Sequence, residues 1–467
     1  MLIRRAELHF GKVVDVRVEE DRIAAIAAHL SPLADESVFD ADGGALLPAL
    51  RDHHLHLQSL AAARASIVCG PPRVHDEGQL AAVLRDAARA DDGWLRGIGF
   101  HESVVADLDR DWLDRQVADR PLRIQHRSGR LWIFNSVALA ALGVRDADTG
   151  LDPFERLDGR LSGRLYDADD WLRTRLPRQR PVLRDLSREL AARGVVGVTD
   201  TTHTNGPDDF AYFADACARG DWLQELMVMG DARLDAQTDR TGVRRGAHKF
   251  HLHEHELPEF DALCAAIRRS HDAGRGTAFH CVTRTELTFA LAALSEAGVL
   301  PGDRIEHAGV APPELAATMA ALGVPVVTQP NFIAERGDAY LADVDAVDLP
   351  WLYRVRGLQA QGVALAGSTD APFGIADPWR AMQAAVERRT PRGQVLGADE
   401  RIDPEAAFAL FTGPLQAPAR YAPPLALGQR ADLCLLSTPW RAIRERLDTV
   451  AVRATWRAGS PIWNADT

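Results

Sequence analysis

The chain has 467 residues, 46% hydrophobic and 26% charged, which is the composition of a water-soluble globular protein and more than one ordinary core of about 150 residues. A net charge of −12, with no Lys/Arg block longer than a pair, argues against nucleic acid or an anionic membrane as a partner. No apolar run reaches the roughly 18 residues that span a bilayer, the N-terminal stretch has no sustained apolar segment, and five scattered cysteines without a CxxC suit a reducing compartment, so a cytoplasmic location is expected.

Residues 1–45 read as short strands: "RAELHF" and "KVVDVRVEEDRIAAI" nearly alternate, broken at Gly11-Lys12 and Glu20-Asp21. "ADLCLLST" and "VAVRATWRAGSPIW" near the other end read the same way, so 1–45 and 421–467 are expected to form one small composite β-sandwich. Between them, 46–420 alternates strand and helix. The strands are "ALLPALRDHHLHL", "GVVGVTDTT" (194–202), "LQELMVMG" (223–230), "AHKFHLH" (247–253), "GTAFHCV" (276–282), "DRIEHAG" (303–309), "VPVVTQP" (324–330) and "GVALAGSTD" (362–370). Helical periods such as "TRTELTFALAALSEAG" and "DPWRAMQAAVERR" lie between several of them. Near-continuously apolar strands alternating with helices predict a covered parallel sheet, and eight of them predict an α/β (β/α)8 TIM barrel. The rival open sheet usually carries a GxGxxG after its first strand, and none is present. Residues 58–193 are too long for one crossover. With "EGQLAAVLRDAARA", "DGWLRGIGFHE" and "PLRIQHRSGRLWIFNSVALAALG", they read as an insertion after strand 1 that caps the barrel mouth.

Barrel sites lie at the C-terminal ends of the strands. His54 and His56 end the first strand, one residue apart, and point the same way; His53 points away and reads as structural. Lys249 and His251 sit late in the fourth, His280 ends the fifth, His307 the sixth and Asp370 the eighth. Four imidazoles and a carboxylate at one rim are ligands for Zn²⁺ or a similar divalent ion. A buried lysine without a partner is disfavoured; beside a metal, Lys249 can be neutralised by CO2 to a carbamate (N6-carboxylysine) that bridges two cations. His251, His253 and His255 share its parity, so one of them could substitute or add a contact.

These residues resemble the amidohydrolase superfamily. "LLPALRDHHLHL" is similar to its strand-1 motif with Ala49 in place of glycine, and "FHCVT", "RIEHAG" and "GSTDAPFG" are similar to its strand-5, strand-6 and strand-8 motifs. "HRSGRLWIFNSVAL", "DGRLSGRLYD" and "LGQRADLCLL" resemble the branch of N-substituted formamide deformylases and exo-acting amidases; "KFHLHEHELP" departs from it, where the branch often has an Asp-Gly after the lysine. The resemblance implies one metal on His54, His56 and Asp370 and a second on His280 and His307, with carboxylated Lys249 shared. It implies one or two ions per chain, zinc foremost, and a homodimer. Metal-activated hydroxide would attack the substrate, with Asp370 as the catalytic proton shuttle.

The expected activity is therefore hydrolysis of a non-peptide amide-type C–N bond (an amide, formamide or cyclic imide) in a small-molecule substrate. The alternatives are a single-metal deaminase of an amino-heterocycle and, behind it, a metal-binding barrel without turnover. Substrate-contact candidates are His126, Arg127, Arg130, Trp132 and Asn135 in the insertion, His251 on strand 4, and Pro330, Asn331 and Phe332 after strand 7.

Overall fold

The structure is a computed structural model that describes every residue except 9, 72, 91–92, 149, 151–152, 177–179 and 467. It divides into two units, residues 1–57 with 182–467, and residues 58–181. In the first, eight strands pair in parallel in chain order: β1 Leu50–Leu55, β2 Val195–Asp200, β3 Glu225–Gly230, β4 Val243–His251, β5 Thr277–Cys281, β6 Arg304–His307, β7 Val326–Thr328 and β8 Leu365–Gly367. β2 is buried at all six positions, as a strand covered on both faces requires. The ring closes where β1 meets the segment after β8. The Asp370 N–H donates to the His54 carbonyl at 2.9 Å, and the His56 N–H to the Ala371 carbonyl at 2.8 Å. One layer down, the buried Asp52 carboxylate accepts from the Thr369 N–H and hydroxyl. The chain is a (β/α)8 barrel.

The predicted fourth strand, 247–253, differs from the one found. β4 starts four residues earlier and stops at His251, so His253 and His255 lie in the loop beyond it. Arg244 and Arg245 break the apolar run, yet both are accommodated: Arg244 Nε donates to Glu225 at 3.2 Å, and the Arg245 N–H to Asp239 at 2.8 Å.

Helices that cover the barrel include α1 Pro207–Ala218, α2 Phe260–Asp272, α3 Arg284–Ala297, α4 Pro313–Leu322, α5 Asn331–Asp343 and α6 Pro378–Glu387. Their ends follow local rules. Thr283 and Glu286 form a reciprocal capping box at α3, at 3.2 and 3.1 Å. α4 stops at Gly323, whose φ of +68° an L side chain disfavours.

Two four-stranded sheets complete this unit. One joins Arg22–Ala27, Lys12–Glu19, Leu2–Leu8 and Val38–Asp40; the other joins Ser460–Asn464, Val452–Arg457, Leu433–Leu436 and Leu46–Pro48. Ile3, Val16 and Ile23 of the first share one buried core with Leu433, Leu435 and Trp456 of the second, which makes a β-sandwich from the two ends of the chain. Helix Arg184–Ala191, which falls within the stretch expected as insertion, belongs to the barrel unit: its Ser187 hydroxyl donates to Gln224 at 2.7 Å. Residues 58–181 form a six-stranded sheet with helices and their own core around Leu80, Leu84, Trp112, Leu122 and Ile133. No helix among the described residues is long and apolar enough to cross a membrane.

Glu405 ties the helix Pro404–Ala409 to the C-terminal segment. It accepts from Trp440 Nε1 at 2.7 Å and, on both oxygens, from Arg444 at 2.8 Å. The Arg444 hydrogen bonds hold its carboxyl at a pKa of about 2, below the ordinary 4.5. Stability from a depressed acid is present above the unfolded pKa and is lost as pH falls towards the folded one. Glu405→Gln is expected to lower the denaturation midpoint at pH 7, with the gap from the unsubstituted protein narrowing below pH 4.5; midpoints at pH 7 and pH 4 check this.

Candidate metal centre

Alternation along the strands decides which side chains enter the barrel. On β1, Asp52, His54 and His56 share one parity, and His53 lies on the other, buried. On β4 and β5 the inward residues are Ala247, Lys249 and His251, then Ala278 and His280. Pairing sets Lys249 beside Ala278, and His251 beside His280, with Glu306 next in that row. On β6, Arg304 and Glu306 point inward, so His307 would point out. Its φ of +70° breaks the alternation and turns it back into the site. Asp370, three residues past β8, has a φ of +55°. Both are non-glycine residues in the left-handed region, a strain that persists where surrounding structure holds it.

The side chains converge. His54 Nε2 and His56 Nε2 each lie 3.4 Å from Asp370 Oδ1, and His307 Nδ1 lies 4.0 Å from Asp370 Oδ2. The His307 ring stands 4.7 Å from that of His54 and 4.4 Å from that of His280, centroid to centroid. Among the described residues, His54, His307 and Asp370 are the one group of three whose ligand atoms all fall within 4.8 Å of one another.

Each imidazole is oriented from behind. His54 Nδ1 lies 2.6 Å from Glu306 Oε2, so the carboxylate accepts its N–H and leaves Nε2 with a lone pair facing Asp370. Thr202 Oγ1 sits 2.9 Å from His56 Nδ1, and Gln329 Oε1 accepts from His307 Nδ1 at 2.7 Å. Glu306 also accepts from Arg304 Nε at 2.6 Å and lies 3.8 Å from Lys249 Nζ.

Burial, then neighbouring cations and imidazoles, hold His54, His280 and His307 below the ordinary histidine pKa, so they are neutral donors. Burial raises Asp370. Burial lowers Lys249 to about 8, against the opposing pull of Glu306. Burial alone would raise Glu306; Arg304 and Lys249 outweigh it, and its pKa is lowered. Lys249 Nζ, His307 Nε2 and Asp370 Oδ1 are buried without any hydrogen-bond partner. Native interiors rarely leave such atoms orphaned. Three donors of ligand chemistry in one pocket fit a divalent cation, with His54, His56, His280, His307, Asp370 and Lys249 as the groups able to hold it.

The substrate-contact candidates belong to both units. His251 is exposed at the strand-4 end, its ring 4.3 Å from His280. Asn331 is buried and donates to Glu335 and to the Thr369 carbonyl, both at 3.1 Å. In the 58–181 unit, His126 pairs with Glu102 at 3.1 Å and Arg130 with Asp167 at 2.6 Å. Trp132 is buried in that unit's core. Asn135 is a correction: it caps the helix Ser136–Ala141 and uses its whole amide internally, donating to the Val117 and Arg120 carbonyls and accepting from Leu122 and Ala138 N–H, so nothing is left for a ligand.

Glu306, Arg304, Thr202 and Gln329 are absent from the sequence-derived set. A signal for two of them existed, since two opposite charges at period two in the buried strand "RIEH" share one face and must pair there.

The family model described as Amidohydrolase family matches residues 37–463, and the chain belongs to that family. It is 24% identical over 460 residues to the N-substituted formamide deformylase of Arthrobacter pascens, covering 86% of this chain and 85% of that one. An uncharacterized metal-dependent hydrolase from Pyrococcus furiosus superposes with a TM-score of 0.77 at 19% identity, covering 93% of this chain and 98% of that one. Atrazine chlorohydrolase from Arthrobacter aurescens TC1, complexed with zinc, gives 0.55 at 13% identity, with 99% and 95% covered. The protein is a hydrolase acting on carbon–nitrogen bonds other than peptide bonds.

Glu306→Gln removes the carboxylate behind His54. Loss of such a partner commonly weakens metal affinity about 10–100-fold. Equilibrium dialysis against Zn²⁺ is expected to show a loss of that order, and unchanged affinity would exclude the orienting role.

Proposed function

We propose that the protein hydrolyses an amide, formamide or cyclic imide of a small molecule, with Asp370 as the proton shuttle. The observation that carries this is the approach of His54 Nε2 and His56 Nε2 to the same Asp370 oxygen at 3.4 Å, beside the orphaned Lys249 and His307 atoms. His54, His56 and Asp370 would hold one ion, His280 and His307 a second, and Lys249 would be shared as its carbamate. A divalent ion there polarises a carbonyl and brings the pKa of water down to about 7. Zinc, the ion named with the atrazine chlorohydrolase structure, is the ion proposed.

Asp370 does the proton work. Burial raises its pKa, which suits a carboxylate that must take a proton from the attacking water and return it to the leaving nitrogen. The Lys249 amine, at about 8, has a neutral fraction available to CO2 at neutral pH, and Ala278 beside it is small. On carboxylation, Glu306 would keep Arg304 and His54 as partners. The substrate class follows the formamide deformylase relative. His251 and Asn331 remain the proposed substrate contacts of the barrel unit.

The Lys249–Glu306 pair at 3.8 Å favours a second reading, in which the lysine stays an ammonium and a single ion serves an amino-heterocycle deaminase. Metal content separates the two. About two ions per chain, with Lys249→Ala losing one, supports the bridged hydrolase; one ion and indifference to Lys249→Ala supports the deaminase. Against N-substituted formamides, His54→Ala is expected to abolish turnover, and Asp370→Asn to lower kcat by about 10²–10⁴ with the fold retained by circular dichroism. Unchanged turnover in His54→Ala would sink both readings.

A further inference from the structure

The strand-4 segment "HLHEH" carries more imidazoles than the centre described above employs. His251 is their hub. Its ring lies 4.7 Å from His203 and 4.3 Å from His253, centroid to centroid, and His255 follows at 5.5 Å from His253. His203, His251, His253 and His255 are all exposed.

The two loops that present these rings are pinned. In the loop after β4, Leu252 is buried, and Glu254 is fastened to the start of α3: its N–H donates to Glu286 Oε1 at 3.1 Å, and its carboxylate accepts from the Thr285 hydroxyl at 3.0 Å. With Leu252 buried and Glu254 fastened at the surface to α3, His253 and His255 emerge beside His251. In the loop after β2, Thr202 is held against His56, and Asn205 donates to Asp200 at 2.7 Å and to the Met229 carbonyl at 2.9 Å. His203 is carried between those fixed points.

We propose that His203, His251 and His253 form a second, all-imidazole site at the barrel rim that binds a borderline transition-metal cation such as Zn²⁺ or Co²⁺, separate from the His54–His307–Asp370 centre. Three imidazoles are the donor set of known zinc sites and do not suit Mg²⁺ or Ca²⁺, which take oxygen. The rim nitrogens do not yet share the 4.8 Å sphere that defines the inner group, so closure requires rotation of exposed side chains about χ1 and χ2. His280, 4.3 Å from His251 and 4.4 Å from His307, stands between the two sites.

The test is Co²⁺ binding to chelator-stripped protein, read by equilibrium dialysis with Mg²⁺ in excess. The His203→Ala/His253→Ala double variant is expected to bind one Co²⁺ fewer per chain than the unsubstituted protein. A His54→Ala/His280→Ala/His307→Ala/Asp370→Ala variant, stripped of ligands for both inner ions, isolates the rim: it is expected to keep one Co²⁺, which the two rim substitutions then remove. Equal stoichiometry with and without the rim histidines overturns the proposal, as does complete loss of Co²⁺ from the variant stripped of inner ligands when its fold is intact by circular dichroism. Neither outcome bears on catalysis at the inner centre.

Discussion

Strands β1 and β8 meet over a few residues, and the bonds that join them run through the side chains and backbone of the metal centre itself. Asp52 grips Thr369, the His54 carbonyl takes the Asp370 N–H, and the His56 N–H reaches Ala371. Closure of the barrel and placement of three of the proposed ligands are thus one constraint. Shifting Asp370 relative to His54 means unzipping the seam, and that rigidity keeps the two imidazoles aimed at one carboxylate oxygen.

Beneath the seam lies a second constraint, a chain of buried charge. Arg304, Glu306 and Lys249 are all sealed in the interior, and Glu306 is shared by the other two and by His54. A buried charge is tolerated only when paired and hydrogen-bonded. The arginine satisfies the carboxylate, and the carboxylate fixes the imidazole tautomer. The lysine is left incompletely served, with no hydrogen bond at all. That imbalance sets Lys249 apart from Glu306, both of whose oxygens accept hydrogen bonds.

Much of this was legible in the sequence. Period-two runs at both ends gave the sandwich, and apolar strands alternating with capped helices gave the barrel. The HxH pair, with the histidines of "AFHCVT" and "RIEHAG" and the aspartate of "GSTDAPFG", marked the mouth. What escaped notice depends on tertiary contact. β4 begins at Val243, where Glu225 accepts from the Arg244 side chain and the Asp235 carbonyl from that of Arg245, two residues that local pattern reads as a break. Asn135 looks like a free amide until the turn around it is known. Thr202 and Gln329 act only through the histidines they touch, and nothing in their immediate sequence announces it.

His307 shows how backbone geometry enlarges what one strand can offer. Strict alternation allows a strand one functional group for every two residues, yet β6 delivers Glu306 and His307 in succession to the same interior. The left-handed turn at His307 supplies the reach that a long side chain would otherwise provide, and an imidazole has only two rotatable bonds to immobilise. Support and ligand are therefore covalently adjacent, spaced by a single peptide plane. Any drift of β6 along its axis carries the carboxylate and the imidazole together, which preserves their relation to each other even as it alters their relation to the rest of the barrel.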